Sequence, residues 1–285
     1  MRSLAIFLVG LTGHCAGIQF NTTDPNVRSW RYDSANTSSL AAQSATISGS
    51  SYLAATRFIL NIKRWGVRSQ ITQCQLYIGN QLAACQAPII NDGTFSIAVN
   101  SFVAGDFSEA TGLTGNGLTK FINTGGATPT ATDNAHVSVY IRVSSGANST
   151  GIGSTDTANT TLLSPNLLGT TYGALWANVP GNRTATTDSS GVGYYNLSRT
   201  ATNSLIIYKN GASFDTSTNP AGSKNNAGVY VHAFNNNGLD SSWSSSTFAF
   251  YSVGGGLTVT QELNLWKAVQ RLQITMGRSV GSTAL

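Results

Sequence analysis

The sequence predicts a mainly β protein, an antiparallel sandwich with one flanking helix near each end of the folded region. Two observations carry this prediction. Short apolar runs separated by turn-forming Asn, Gly, Ser and Thr extend from Cys74 to Val253, which is typical of many short strands joined by tight turns. No long run with helical periodicity interrupts this region, and that argues against a parallel βαβ fold.

The two flanking helices are predicted from apolar residues at helical spacing. The first covers residues 51–65 and ends at Gly66. The second starts after Leu257, where Thr258 and Gln261 have the spacing of a capping box. We expect its apolar face to pack on the sheet; this face consists of Leu265, Val269, Leu272 and Met276, widened by Trp266.

The clearest single strand is Val137–Val143, where Val and Ile alternate with Ser, Tyr and Arg. This alternation predicts a strand with one buried face. The Asn-Gly pairs at 210–211 and 237–238 predict hairpin turns, because both residue types tolerate positive φ. Three further strands are predicted at 205–209, 227–234 and 247–253.

Charge is scarce in this chain. Only 9% of its 285 residues are charged, against about a quarter in ordinary globular domains. The net charge of +5 arises from 16 Lys and Arg against 11 Asp and Glu. Basic residues cluster only at 63–68, a shorter stretch than nucleic-acid interfaces usually show. We therefore predict no nucleic-acid partner, and a polar, uncharged surface of a kind common in extracellular and virion proteins.

The first 50 residues differ from the rest. Met1-Arg2 and the apolar run Leu4–Leu11 have features of a secretory signal, or of a segment buried in a partner subunit. The run is too short to span a bilayer. Residues 18–50 are mostly polar and are predicted to be extended. The predicted division is an attachment segment, 1–50, and a sandwich domain with its flanking helices, 51–285.

The cysteine count is odd. Of Cys15, Cys74 and Cys85, at least one is unpaired within the chain if the other two form a disulfide. Cys74 and Cys85 bracket a strand-like run, so they could pair in an oxidising compartment or be two small buried hydrophobic side chains. Burial is the favoured interpretation.

Three blocks, Trp65–Gly79, Ser198–Gly211 and Phe250–Arg278, together with the strand start Asp133–His136, resemble a known family. They are similar to the concanavalin A-like (LamG-type) jelly-roll proteins that are widespread in tailed phages and prophages. The resemblance covers roughly residues 51–280. It implies two antiparallel sheets in a jelly roll, displayed on a virion surface as a tail fibre, receptor-binding module or capsid decoration. It does not imply catalysis, because such folds host lectins, glycosidases and inert structural modules alike.

No catalytic site is predicted. A glycosidase needs two carboxylates at the reacting bond, and Asp106 and Glu109 are the only close acid pair, in a glycine-rich, loop-like stretch. The three histidines do not have a metal-ligand spacing. One of them, His232, is interpreted as a sheet-face residue or a satisfied core histidine of an alternating strand. We predict a non-enzymatic protein without a required cofactor.

Carbohydrate binding is the alternative that has candidate residues. Lectins of this architecture combine Asn- or Asp-bearing loops with an aromatic ring that offers an apolar platform and a polar group. Trp176 with Asn178, and Tyr194 and Tyr195, are candidates. The best candidate is a loop whose side-chain oxygens could also bind calcium, although a polar hairpin tip has the same composition. It is formed by Asn235, Asn236, Asn237, Asp240 and Trp243.

Two functions follow. The main prediction is a non-enzymatic virion structural protein that docks to other virion proteins, or to copies of itself, through residues 1–50. The alternative is a lectin-like receptor-recognition module of a phage or secreted protein, whose partner is a host surface glycan. The predicted location is a virion surface, or alternatively the extracellular space.

Overall fold

A computed structural model describes residues 49–92, 95–128, 131–146, 150–156, 158–178 and 184–280. Residues 1–48, which hold Cys15 and nearly all of the predicted attachment segment, lie outside the described residues. The division of the chain at residue 50 stays a prediction.

The described chain forms two β-sheets stacked as a sandwich, with two long helices on one outer face, and this confirms the predicted fold class. Helix α1, Gly49–Arg64, precedes the strands. Helix α2 is short, Leu82–Gln86, and helix α3, Val259–Thr275, follows the last strand. Two 3₁₀ turns, Arg68–Gln70 and Ala104–Asp106, complete the helical elements of the described residues.

The strands are numbered along the chain, and each sheet contains nine of those described. The first sheet consists of β1 (Ile71–Gln75), β2 (Ile90–Asn91), β4 (Phe107–Ser108), β5 (Gly112–Thr114), β7 (Ala135–Val143), β12 (Gly193–Ala201), β13 (Ser204–Lys209), β14 (Ala212–Ser217) and β18 (Thr247–Gly254). Its main order is β14-β13-β12-β7-β18-β1-β2, with β5 pairing β18 and β4. The long strands at its centre are therefore β12, β7 and β18.

The second sheet consists of β3 (Ala98–Asn100), β6 (Phe121–Asn123), β8 (Ile152–Thr155), β9 (Asn159–Leu167), β10 (Thr170–Asn178), β11 (Thr184–Thr187), β15 (Tyr230–Val231), β16 (Phe234–Asn236) and β17 (Leu239–Ser241). Its main order is β11-β10-β9-β8-β15-β6-β3, and β16 pairs with β8 and β17. The β8–β16 pair is parallel, whereas the other pairs between named strands of the described chain are antiparallel.

Strand β7 is buried on both faces, so the prediction of one buried face is wrong. Val137, Val139 and Ile141 point into the core between the sheets. Ser138 and Tyr140, on the opposite face, are fully buried as well. The reason is non-local, because helices α1 and α3 cover that face of the first sheet and turn a half-exposed strand pattern into a buried one.

Helix α3 begins as predicted. Thr258 Oγ1 accepts a hydrogen bond from the backbone N–H of Gln261, and Gln261 Oε1 accepts one from that of Thr258, at 3.3 and 3.1 Å. The predicted apolar face packs on the first sheet, with Leu265, Val269 and Leu272 in the cluster shared with α1. This reciprocal capping fixes where the helix starts after the last strand.

The strand predicted at 227–234 is much shorter in the structure. Only Tyr230–Val231 forms β15, and the chain then turns at His232, whose φ is +67°. A left-handed residue cannot continue a strand, so Phe234 starts a separate strand, β16. The two described cysteines, Cys74 and Cys85, are free and buried, as favoured from the sequence.

Candidate functional site

The predicted loop is a tight hairpin on the second sheet. Strands β16 and β17 are joined by Asn237 and Gly238, whose φ angles are +51° and +95°. Two consecutive positive φ angles are the requirement of a type I′ turn, which explains the Asn-Gly pair. The backbone N–H of Asn237 donates to the carbonyl of Thr155 at 2.9 Å and fixes the hairpin to the sheet.

Asn235 holds this hairpin together. Its side chain is buried, with Nδ2 donating to the Gly228 carbonyl and Oδ1 accepting from the Gly238 N–H, both at 2.7 Å. Both ends of the amide are thus used within the protein. Asn236 and Asn237, by contrast, are exposed. Of the three loop asparagines 235–237, these two have side chains that are open to solvent.

Trp243 lies beside the hairpin on an aromatic support. Its half-buried ring packs against the buried cluster of Phe121, Tyr230 and Ala233, in which the Phe121 and Tyr230 rings stack with centroids 4.7 Å apart. The indole Nε1–H donates to Oδ2 of the exposed Asp240 at 2.9 Å. The ring is therefore held by packing against this cluster and by a hydrogen bond to a carboxylate. We call Trp243, Asp240, Phe121 and Tyr230 the aromatic platform.

Strand alternation explains why the platform lies on the outside of the second sheet. Ile122 and Val231 point into the core between the sheets. Their strand neighbours Phe121 and Tyr230 therefore point out of the opposite face. Helices α1 and α3 pack on the other sheet. On this side of the described chain Asp240 is exposed and Trp243 is half-buried, whereas Phe121 and Tyr230 are buried.

The electrostatics of the platform are set by Asp240. Its Oδ1 makes no hydrogen bond to the described residues, whereas Oδ2 holds the indole. Burial, and then the nearby Asp240 carboxylate, raise the pKa of Tyr230. Lys120, the residue before Phe121, has its Nζ 2.5 Å from Asp106 Oδ1, so that its positive charge is balanced by this carboxylate. The platform therefore offers hydrogen-bond acceptors and a negative charge.

Trp176 lies at the same end of the second sheet as the hairpin turn. Its neighbour Ala177 pairs with Thr160, Thr160 with Thr155, and Thr155 with Asn236. Three spacings between strands separate the backbone of Trp176 from that of β16, about 14 Å. The side chains of Trp176 and of Asn178 lie outside the described residues, so their role stays a prediction.

Tyr194 and Tyr195 are buried and do not form a surface site. Tyr194 points towards helix α3, where its hydroxyl donates to Glu262 Oε2 at 3.4 Å. Tyr195 points to the other face and donates to Asp188 Oδ2 at 2.5 Å. Neighbouring residues of a strand face opposite sides, and both sides of β12 are covered.

The acid pair considered for catalysis has structural partners. Asp106 binds Lys120 and accepts a hydrogen bond from the Val103 N–H at 2.7 Å. The Glu109 carboxylate accepts hydrogen bonds from the Ser51 hydroxyl and from the Gly79 N–H. The two carboxylates thus stabilise different loops, and they are not arranged around one position where a substrate bond could be cleaved.

His232 lies in the core, as one of the two interpretations from the sequence held, but the described residues do not satisfy its ring with hydrogen bonds. Its ring stacks on Phe248 with centroids 4.0 Å apart. Neither ring nitrogen has a partner among the described residues. Burial lowers the pKa of His232 to about 3, so the imidazole is neutral at physiological pH.

Glu262 and Arg278 are among the buried ionisable residues that the sequence did not predict. Glu262 accepts a hydrogen bond from Asn196 Nδ2 at 2.6 Å, and burial raises its pKa to about 8. Arg278 donates to the carbonyls of Tyr77 and Leu76 at 2.6 Å, and burial lowers its pKa to about 10. A sequence signal exists for Glu262, which precedes Leu265 by three residues and so shares the apolar face of α3.

Neither a metal cluster nor a membrane helix is found in the described part of the chain. No group of three or more His, Cys, Asp or Glu side chains there is placed to hold a metal ion. No described helix is both long and apolar enough to cross a membrane. The calcium site suggested for the Asn235–Asp240 loop stays a prediction.

Comparisons with known proteins give distant structural similarity alone. No protein-family model matches the chain, and no curated protein sequence matches it. The botulinum neurotoxin serotype D binding domain is similar at a TM-score of 0.47 and 11% identity, over 71% of this chain and 52% of that one. This chain thus spans about half the length of the neurotoxin structures that it matches.

Two smaller domains are also similar. Domain 4 of AbnA, a GH43 extracellular arabinanase from Geobacillus stearothermophilus, has a TM-score of 0.38 and 16% identity, over 69% of this chain and 98% of its own. The CBM40 domain of a Ruminococcus gnavus IT-sialidase has a TM-score of 0.37 and 11% identity, over 47% of this chain and 82% of its own. At these values, the function of this chain has to be argued from its own residues.

Proposed function

We propose that this chain is a carbohydrate-binding recognition module that contacts glycans with the aromatic platform. The observation that carries the proposal is the half-buried Trp243 ring, packed against the cluster that contains the Phe121–Tyr230 stack and hydrogen-bonded to the exposed Asp240 carboxylate. Sites for small polar ligands typically combine an apolar or aromatic surface with a few well-placed polar groups. The platform has both.

Pre-organisation supports binding at this position. The indole is already fixed by packing and by the 2.9 Å hydrogen bond to Asp240, so a ligand would not have to order it. Avoiding that entropic cost improves affinity. The apolar C–H face of a sugar ring can lie on the indole, while one of its hydroxyls donates to Asp240 Oδ1.

The charge of the platform favours neutral glycans. Asp240 is the one ionised side chain among the platform residues, and Lys120 is already paired with Asp106. A carboxylate at the rim repels the acidic groups of sialic or uronic acids. We therefore propose neutral hexoses or N-acetylhexosamines as the ligand class.

A glycan array probed with the full chain tests this function. The parent protein is expected to bind neutral glycans, and Trp243→Ala to weaken binding roughly thirtyfold or more, as for a central aromatic contact. Trp243→Phe should retain part of the affinity, and Asp240→Ala should weaken it at an unchanged melting temperature. Leu168→Ala, at an exposed residue of the β9–β10 turn, is the control. Absence of any glycan ligand would refute the proposal.

We further propose a virion surface or the extracellular space as the setting of this module, with residues 1–50 as its attachment segment. The low content of charged residues, 9%, supports such a setting by association with proteins of those places. Mass spectrometry of purified particles and of the culture medium tests it. Recovery of the chain exclusively from the cell interior would contradict it.

A further inference from the structure

A second surface lies on the opposite side of the sandwich, where α1 and α3 pack side by side. Gln261 Nε2 in the first turn of α3 donates to the carbonyl of Gly66, just after α1 ends, at 3.2 Å. The end of α1 therefore lies at the start of α3, and the helices run antiparallel. Between them is a groove with a volume of about 380 Å³.

Both helices contribute the same order of side chains to this groove. Residues 54–61 of α1 read Ala-Ala-Thr-Arg-Phe-Ile-Leu-Asn, and residues 268–275 of α3 read Ala-Val-Gln-Arg-Leu-Gln-Ile-Thr. In each, an alanine, an arginine, a large apolar residue and a polar residue recur at i, i+3, i+4 and i+7, which places them on one helix face. The groove-lining residues are Ala54, Arg57, Phe58, Asn61, Ala268, Arg271, Leu272, Ile274 and Thr275.

The floor of the groove is apolar and its walls are basic. Ala54, Phe58, Ala268 and Leu272 are almost fully buried. The small alanines leave the space between the helices that a larger pair of side chains would fill. Arg57 and Arg271 are exposed on opposite walls.

Two exposed apolar side chains follow the arginines in sequence, and one of them, Ile274, itself lines the groove. Leu60 is 54% exposed and Ile274 42% exposed. They occupy equivalent positions in the two matching segments, three residues after Arg57 and Arg271 respectively. A partner would thus meet an apolar centre, two arginines and an apolar residue on each side.

No acidic side chain is exposed on either helix. Helix α1 carries Arg57, Lys63 and Arg64 and no acid, and the single acid of α3, Glu262, is fully buried. Arg57 and Arg271 have no carboxylate partner in the described residues, and Arg271 lies over the Trp65 ring at 5.0 Å. The charge of this surface is therefore left for a partner to complement.

The positive charge of the groove walls indicates which kind of partner can occupy the groove. A second copy of this face would bring Arg57 and Arg271 against their equivalents and would be repelled. The chain's own residues 1–48 are also a poor complement, because they contain three arginines and two aspartates. An amphipathic helix with an apolar stripe flanked by Asp or Glu matches both the floor and the walls.

We infer that the α1–α3 groove is a docking site for an acidic amphipathic helix of another protein. This interaction is distinct from glycan binding, since the aromatic platform lies on the other sheet. The apolar stripe of the docked helix fills the groove over Ala54 and Ala268, and the carboxylates of that helix pair with Arg57 and Arg271. The site can thus anchor the module while the platform stays free for its ligand.

Fluorescence anisotropy with the full chain tests the inference. The probe is a labelled, designed helical peptide with one leucine stripe flanked by glutamates, and the control peptide has lysines in place of the glutamates. The glutamate peptide is expected to bind, and the lysine peptide to bind at least roughly tenfold more weakly, as two ion pairs would require. Equal affinity of the two peptides would overturn the inference.

Protein variants separate charge from shape. Arg57→Glu combined with Arg271→Glu should abolish binding of the glutamate peptide, while Lys224→Glu, at an exposed residue outside the groove, should preserve it. Thr275→Trp, which fills the groove without changing its charge, should also weaken binding. Undiminished binding to the groove variants at an unchanged melting temperature would contradict the site. Arginine-dependent binding of duplex DNA or anionic vesicles, with none of the peptide, would contradict the assigned partner.

Discussion

Glu262→Gln is expected to stabilise this protein in alkaline solution. Glu262 is fully buried under α3, where its Oε2 accepts hydrogen bonds from Asn196 and Tyr194 and no ion pair to it is found in the described residues. Burial therefore raises the pKa of the Glu262 carboxyl from 4.5 to about 8. Glutamine keeps the shape of the neutral acid and cannot ionise, so the variant retains the favourable form at every pH.

The size of the difference in the free energy of unfolding between Glu262→Gln and the parent follows from proton linkage. Because the folded protein binds the Glu262 proton more tightly than the unfolded chain, its contribution to the free energy of unfolding is complete below about pH 4.5. This contribution is lost as the pH rises to about 8. At about 1.4 kcal/mol for each pH unit, the loss is at most about 5 kcal/mol. The variant should therefore exceed the parent by several kcal/mol at about pH 9, and by much less at about pH 5.

Two buried histidines give the free energy of unfolding the opposite pH dependence, because they favour the folded protein as the pH rises. Burial lowers the pKa of His136 to about 4 and that of His232 to about 3. Their contribution is present above the unfolded pKa of about 6.5 and is lost as the pH falls through the folded values. The parent should thus be most stable near about pH 6.5, whereas Glu262→Gln should reach a plateau above that pH.

Urea unfolding at a series of pH values measures these effects. Asp133→Asn, at an exposed aspartate, is the matched control and should follow the parent curve. The expected result is a parent curve that falls between about pH 6.5 and about pH 9 beside a flat curve for Glu262→Gln. A variant that loses as much alkaline stability as the parent, or is less stable throughout, would refute the reasoning.

Further predictions concern stability and are tested by thermal or urea unfolding. Leu272→Asp should cost more than about 4 kcal/mol because it buries an unpaired charge, whereas Leu60→Asp, at a 54% exposed residue, should stay within about 0.5 kcal/mol. Gly211→Ala should cost roughly 1–3 kcal/mol, since its Cβ would lie 2.6 Å from the Trp266 ring and its φ is +79°. Arg278→Lys should cost roughly 3 kcal/mol, because lysine cannot reproduce the fork of donors to buried backbone carbonyls. Equal stability of the two leucine variants, or a parent-like midpoint for either other variant, would contradict the packing described here.

Local signals in the sequence predicted the elements whose causes are local. The Thr258–Gln261 capping box and the Asn237-Gly238 turn each depend on two residues that are close in the chain. The double burial of β7 could not be predicted in this way. It requires helices more than 70 residues before and 110 residues after the strand, and periodicity within one segment does not indicate what will cover it.

The candidate site likewise combines residues that are close in sequence with residues that only the fold brings together. Trp243 and Asp240 are three residues apart, so the sequence could suggest them together. Their support could not be suggested, because Phe121 and Tyr230 meet through pairing of β6 with β15. Asn235 was assigned to a ligand on composition, whereas the fold uses both ends of its amide to hold the hairpin. Because asparagine is used both in turns and in ligand-binding loops, the sequence alone could not distinguish the two roles of Asn235.

The most direct test of the recognition function is an NMR titration that follows the indole N–H signals of the five tryptophans. The ligands are neutral oligosaccharides of glucose, galactose, mannose or N-acetylglucosamine. We predict a saturable shift of the Trp243 signal, because a sugar on this ring perturbs the N–H that is bonded to Asp240. No shift with any of these oligosaccharides, or shifts confined to the other tryptophans, would contradict glycan binding at the aromatic platform.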